Sequence, residues 1–412
     1  MEANGCAIGW YIPPSWAQGN SSRQLLAEHA SVLDAAEHAL DSVLRQQKFL
    51  DNSRIPLIVH QTWRTFDAQT WPGVIRESVE EWIEASVEDE TTGMAWILWD
   101  DEGIDALMKK YEAEMYDEFL SLPYPVEKAD MFRVVVLKWF GGVVGPIPPI
   151  SNFATANKTS QYADVDARPL KHPKSWVYPS DLTPWTDTYS GATHTIYKPS
   201  PKYEVPDQAP VAYHELLGKD DTSASTFPQG SVSAIFGIEA DNRPDPDSSY
   251  WRMGYRYPVQ LTNWALAMSP LHPVATQFLA TLRGNITQHR EQLRGVDPLD
   301  LTGPPALTGA VRAVAEREDA TLSWDALSAR NGDADGGRGK IVAKDALILP
   351  ITGFSPGRGW FQNMGSKGIE HPNARLRHAA AGSWKNMDVK VHYGKLCRQL
   401  FGMCRDWKKI SE

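Results

Sequence analysis

Two short apolar runs with polar ends do most to limit what this chain can become. "IPLIVHQTW" (Ile55–Trp63) and "GMAWILWDDE" (Gly93–Glu102) each read as a buried strand running into a polar turn. Between them Val74, Ile75, Val79, Trp82 and Ile83 recur at helical spacing. Strand, helix, strand is the opening of a parallel α/β sheet. Ligands of such sheets bind past the carboxyl ends of the strands. His60, Gln61 and Trp63 fall at the first such end, Asp100 and Asp101 at the second.

The stretch Lys128–Leu170 carries the next signal. "KADMFRVVVLKWFGG" reads as a helix stopped at Gly141, whose left-handed freedom suits a C-cap. Asp130 and Arg133 are three apart and share a helix face. An Arg so placed can hold a phosphate or carboxylate with its planar fork; an ordinary surface ion pair has the same spacing. A strand starts at Val143, a proline-rich run without periodicity follows, and only then comes "DVD", Asp164 and Asp166.

Asp-x-Asp occurs three times, but Asp245/Asp247 and Asp333/Asp335 sit in proline- and glycine-rich loops. Only Asp164 and Asp166 follow a helix, a glycine stop and an apolar lead-in. Side chains two apart on extended backbone point the same way, so these two carboxylates can converge on one hard divalent cation. An exposed acidic turn is the plainer alternative for any such triplet.

Composition narrows the class. The 412 residues carry 51 acidic against 41 Lys and Arg side chains, a net charge of −10, which argues against a nucleic-acid partner. The 16 Trp and 14 Tyr are read mainly as core. Three cysteines exclude a disulfide scaffold; Cys397 and Cys404 could pair, leaving Cys6 free. No run reaches membrane-spanning length and the N-terminus lacks an apolar signal core. Sequons at Asn20, Asn157 and Asn285 would suit a secretory lumen.

Residues 1–21 read as disordered and 22–54 as a segment built on one amphipathic helix. Leu26, Leu33 and Leu40 repeat every seven residues, as do His29, Ala36, Val43 and Leu50. That seam predicts either a helix lying on the domain or a stem that oligomerises through residues 22–50. The catalytic domain is expected over 55–390. Within it, 177–230 reads as a long loop or lid, 233–241 as a buried strand, 258–268 and 272–283 as helices, and 328–340 as a surface loop. A basic tail occupies 391–412.

The blocks "IPLIVHQTW", "WILWDD", "LPYPVEKADMFRVVVLKWFGGV" and "YADVDARPLKHPKSW" resemble glycosyltransferase family 32. "GIEADNRP", "NWALAMSPLHP", "LTGPPALTG", "LPITGFSPG" and "AAAGSWK" narrow the resemblance to the branch that starts α-1,6-mannose outer chains on fungal N-glycans. The blocks keep their order across residues 55–385. In that family the glycine pair runs straight into the metal motif. Removing the eighteen residues Val144–Gln161 restores this, joining "GGV" to "YADVDARPL". Val codons begin with GT, Gln can be CAG, and Ala156–Asn157 can encode a branch site, so the segment reads as an in-frame retained intron. The tryptic peptide WFGGVYADVDARPLK in native digests is the expected sign of splicing; the longer form alone contradicts it.

The resemblance implies a nucleotide-diphospho-sugar transferase fold, Rossmann-like and of GT-A type: one α/β domain on a mixed, mostly parallel sheet. It implies a GDP-mannose donor and Mn²⁺ (or Mg²⁺) held by Asp164, Asp166 and His378. His60, Gln61, Trp63, Asp100 and Asp101 would line the nucleotide, with Asp130 and Arg133 on donor hydroxyls or phosphate. Glu239, Asp241, Asn263, Trp264, Thr302 and Gly303 would face the acceptor, an N-glycan or glycoprotein. Transfer would retain the anomeric configuration, through a carboxylate nucleophile or by front-face attack. Family members are Golgi enzymes with an N-terminal membrane helix, which this chain is expected to lack. The alternatives are an inositol phosphoceramide mannosyltransferase and a non-catalytic member of a glycosyltransferase complex. A dehalogenase-like phosphatase is disfavoured, because in "DVDAR" neither Ala167 nor Arg168 is the Thr or Val that its Asp-x-Asp-x-Thr/Val motif needs.

Overall fold

The computed structural model describes residues 9–16, 31–63, 65–87, 92–144, 167–196, 205–211, 213, 231–242, 250–329, 337–357, 364–378, 396–397 and 402–403. Its strands are β1 (Trp10–Tyr11), β2 (Ile58–Thr62), β3 (Ala95–Trp99), β4 (Gly142–Val144), β5 (Ala167–Pro169), β6 (Trp185–Thr186), β7 (Thr193–His194), β8 (Ala234–Asp241), β9 (Val259–Met268), β10 (Lys340–Val342), β11 (Ala346–Leu349) and β12 (Leu376–His378). Its helices are α1 (Val32–Gln46), α2 (Gly73–Val87), α3 (Asp101–Tyr111), α4 (Tyr116–Ser121), α5 (Pro125–Phe140), α6 (Pro273–Gln288), α7 (Pro298–Leu301), α8 (Pro304–Glu318) and α9 (Ile351–Phe354).

Eight strands form the central sheet in the order β1-β3-β2-β4-β9-β8-β11-β10. β2 is parallel to β3 and β4, and β8 to β11, while β9 runs antiparallel between β4 and β8. Five strands therefore share one direction, and β1, β9 and β10 oppose them. This is the α/β architecture with a mixed, mostly parallel sheet that the sequence led us to expect. Every residue of β2 and β3 is buried, as sheets covered by helices on both faces require.

The turn from α5 into β4 depends on two glycines. Gly141 has φ +62° and ψ −161°, which is not the left-handed helical cap expected but a conformation open essentially to glycine alone. Gly142 has φ +95°, and a Cβ there would lie 2.4 Å from the Ile58 carbonyl oxygen. The chain can thus reverse from helix to strand while touching β2.

Three expectations change. Residues 259–268 form strand, not helix; Val259–Leu261 and Ala265–Met268 are all buried between two neighbours, where short apolar runs carry no decisive period. Helix α1 is no stem. It starts at a capping box on Ser31, and Leu33, Ala36, Leu40 and Val43 are buried in the common core. The described part of the proposed oligomer seam is therefore covered by the chain itself, while Leu26 and His29 lie outside the described residues. Residues 177–196 are bolted down, not lid-like: Asp181 accepts from Arg375 Nη2 at 2.6 Å and from Gly339 N at 2.8 Å, and Trp185 Nε1 donates to the Ile341 carbonyl. In the tail, Cys397 is buried and disulfide-bonded, its partner lying outside the described residues. Val144, first of the eighteen inserted residues, ends β4 opposite His60 and Leu266.

Candidate active site

The site follows from the direction of the strands. α5 ends at the start of β4, so its amino end lies toward the carboxyl edge of the parallel strands. β9 runs from that edge inward; Val144 pairs with Leu266, which leaves Asn263 and Trp264 beyond the last paired residue of β4.

Four residues singled out from sequence come together there. Arg133 Nη1 lies 2.5 Å from Asp130 Oδ1 and 3.4 Å from the Asn263 carbonyl oxygen. Thr302 Oγ1 lies 3.1 Å from both Asp130 Oδ2 and the Pro298 carbonyl oxygen, with one proton to donate to either. Asp130 and Arg133 are both 4% exposed, so this is a buried pair and not the surface ion pair the spacing allowed. Such a pair loses far more when one partner is removed than when both are replaced. Gly303 opens α8 beside them; a Cβ on it would sit 2.8 Å from the Leu299 carbonyl, so close approach, not backbone angle, requires glycine. Trp264 packs half-buried against the core.

A residue missed from sequence joins this group. Glu127 lies on the first turn of α5, one turn before Asp130, and is fully buried. Its Oε2 accepts the Tyr124 N–H at 3.0 Å, while Oε1 is buried without a hydrogen-bond partner. Burial, with the charges of Asp130 and Asp297, pushes its carboxyl up to about 8. The "YPVE" start, with Pro at the first helical position and Glu at the third, signals a helix cap; nothing in it announces burial.

Other candidates make contacts within the fold. His60 is wholly buried among Trp99 and Phe140. Its Nε2–H donates to the Gly141 carbonyl at 3.0 Å and its Nδ1 accepts from Trp99 Nε1 at 3.2 Å, one neutral tautomer satisfying both. Burial lowers it to about 3. It ties β2, β3 and the glycine turn together. Asp241 accepts from the Ser328 hydroxyl at 2.5 Å and from the Ala329 N–H at 2.9 Å, which ties it to the loop after β9 and α8. Asp100 caps α3 through Gly103 N at 2.8 Å. Gln61 accepts from Trp96 Nε1 at 2.8 Å and Trp63 is 7% exposed. Asp101, in the first turn of α3, acts on Lys128, whose ammonium burial holds below its usual range. Glu239 stays half-buried and accepts from Gln260 Nε2 at 3.1 Å, where β8 and β9 slip register.

Asp164 and Asp166 lie outside the described residues. β5 begins immediately after them at Ala167, and Ala167 pairs with His378 of β12. The backbone of His378 is therefore held beside the residue that follows the acidic pair. Two carboxylates and an imidazole are a donor set suited to a divalent transition metal. Among the described residues no cluster of three His, Cys, Asp or Glu could hold a metal. A separate cavity of about 320 Å³, lined by Trp185, Arg338, Lys340 and neighbours, includes none of the candidate residues. Among the described residues no helix is long and apolar enough to cross a membrane.

No protein-family model matches the chain. An initiation-specific alpha-1,6-mannosyltransferase of Schizosaccharomyces pombe is 26% identical over 272 residues, 65% of this chain and 49% of that one. Its namesake in Candida albicans is 23% identical over 377 residues, 84% and 77% of the two chains. Inositol phosphoceramide mannosyltransferase 3 of S. pombe is 32% identical over 151 residues, 34% and 33% of the chains. The chain thus spans about half of one of these curated relatives and three quarters of another. The solved PaToxG glycosyltransferase aligns over 72% of this chain and 84% of its own, at 13% identity and a TM-score of 0.33, too remote to bear on function. Taken with the ordered motifs and the α/β sheet, these likenesses support a mannosyltransferase similar to the fungal enzymes.

Proposed function

We propose that the protein is a retaining mannosyltransferase that moves mannose from GDP-mannose to an oligomannose N-glycan in the Golgi lumen, forming an α-1,6 linkage. The observation that carries this reading is the buried Asp130–Arg133 pair joined to Asn263 and Thr302 at the carboxyl edge of the sheet. Its guanidinium is fixed in place before any ligand arrives, and preorganised charge stabilises a developing anion without reorganisation cost. Asp130 holds Arg133 and offers carboxylate oxygens to sugar hydroxyls; Thr302 fixes its rotamer. Gly303, Asn263, Trp264 and Glu239 would shape the acceptor side.

Asp164, Asp166 and His378 would hold Mn²⁺ or Mg²⁺, which when bound neutralises charge on the diphosphate leaving group. The chain's own contribution is to orient the donor and keep water from the anomeric carbon. With purified protein, GDP-mannose, Mn²⁺ and oligomannose, Arg133→Ala should lower kcat/KM by about 10²-fold, on the scale of losing one oxyanion donor. Unchanged kinetics would remove the site from the reaction. A second reading is favoured by the 32% identity to an inositol phosphoceramide mannosyltransferase. The same assay with inositol phosphoceramide as acceptor separates the two.

A further inference from the structure

We propose that the cavity beside Trp185 and Lys340 binds a phosphate monoester carried on a sugar-sized body, at a place separate from the candidate active site. The proposal does not depend on the donor-site reading of Asp130 and Arg133. The cavity holds about 320 Å³. That is the small end of the range of ligand pockets, and it suits a monosaccharide derivative better than a nucleotide sugar. Among its described lining residues the only ionisable groups are two cations, Arg338 and Lys340, in a chain whose net charge is −10.

Both cations are held in place by neutral groups. Half-buried Arg338 donates from Nη1 to the Ser180 carbonyl at 3.2 Å and from Nη2 to the Pro184 carbonyl at 2.8 Å. Those carbonyls orient the guanidinium without neutralising it, and the fork's other N–H donors stay for a ligand. Lys340 Nζ donates to the Ala326 carbonyl at 2.8 Å and stands 5.3 Å from the centre of the Trp185 ring, which fixes its charge at the wall. Trp185 is only 5% exposed and gives its Nε1–H to Ile341, so it is a wall and not a platform for stacking a sugar. The nearby carboxylates are engaged elsewhere. Asp187 is wholly buried on the N–H groups of Tyr189, Ser190 and Ser323, Asp241 takes the Ser328 hydroxyl, and Asp181 is paired with Arg375. None of the three lines the cavity. Thr186 and Thr188 add two exposed hydroxyls. Two cations with two hydroxyls match the charge and oxygens of a phosphate monoester better than those of a single carboxylate.

Titration calorimetry of the full chain with glucose 6-phosphate, inorganic phosphate, glucuronate and glucose tests this. Glucose 6-phosphate should bind at least about tenfold tighter than glucose or glucuronate, and tighter than inorganic phosphate. Arg338→Gln should weaken it by at least about tenfold, with GDP and Mn²⁺ bound as in the wild type. Thr188→Val should weaken it by about threefold and serves in place of Arg338→Gln if that variant melts early. Arg133→Ala should keep the sugar phosphate. No binding to the wild type, equal binding of glucose or glucuronate, or full binding in both Arg338→Gln and Thr188→Val overturns the proposal. Loss of the sugar phosphate in Arg133→Ala, or of GDP in a stably folded Arg338→Gln, overturns the separation of the two sites. Inorganic phosphate binding as tightly as glucose 6-phosphate overturns the sugar part of the assignment.

Discussion

At the scale of single residues, side-chain environment decides role, and sequence position proved a poor guide to it. His60 has the right residue type at a strand end, yet both ring nitrogens are consumed inside the protein. In the unfolded chain it titrates near 6.5; in the fold it stays neutral down to about 3. Its contribution to stability is thus complete above pH 6.5 and falls away as pH drops toward 3. His60→Gln should flatten that acid limb of the melting temperature while lowering stability at pH 7.5; an unaltered acid limb would mean that another group sets it. Asp130 and Arg133 went the other way. Spacing alone could not separate a solvated pair from a buried one, and it was the approach of Thr302 and Asn263, 130 and more residues away in sequence, that joined them into one buried cluster.

At the scale of elements, the parallel start was legible because β2 and β3 are short, apolar and bounded by polar turns, and α2 between them keeps Ile75, Val79 and Trp82 on one buried face. β9 was not legible. A ten-residue strand buried on both sides shows no alternation, and its Asn263–Trp264 step interrupts whatever period remains. The α5–β4 turn was half legible: the glycine pair marked the stop, but the close approach to Ile58 arises only once β2 and β4 pair. Gly142→Ala puts a Cβ against the Ile58 carbonyl at φ +95°. It should cost about 2–4 kcal/mol in urea unfolding; a loss below ~0.5 kcal/mol would mean the turn relaxes freely. Residues 177–196 looked loop-like because their anchors are distant. Asp181 and Arg375 are 1% exposed each, with the guanidinium 4.1 Å over the Tyr178 ring. Asp181→Ala should cost about 3–5 kcal/mol by leaving Arg375 charged and unpaired, and a double variant to apolar residues should recover part of it.

At the scale of the whole molecule, the fold pairs segments that the sequence spreads between Asp130 and His378. β4, β9 and α5 bring Asp130, Arg133 and Asn263 together, and β5 pairs with β12 so that the chain leaving Asp166 meets His378. The metal motif was readable as a motif, but its setting was obscured by the eighteen residues that separate Val143 from Tyr162. Val144 fills a buried register position that Tyr162 would occupy in a spliced chain. The form lacking Val144–Gln161 should bind GDP with Mn²⁺ more tightly than the full chain if the segment is intronic; equal affinity would favour a genuine surface loop. The most direct test of the central claim is mass spectrometry of an oligomannose N-glycan incubated with the purified protein, GDP-mannose and Mn²⁺. The account predicts a gain of one hexose that depends on Arg133. An acceptor left unextended, with GDP-mannose intact, would contradict it.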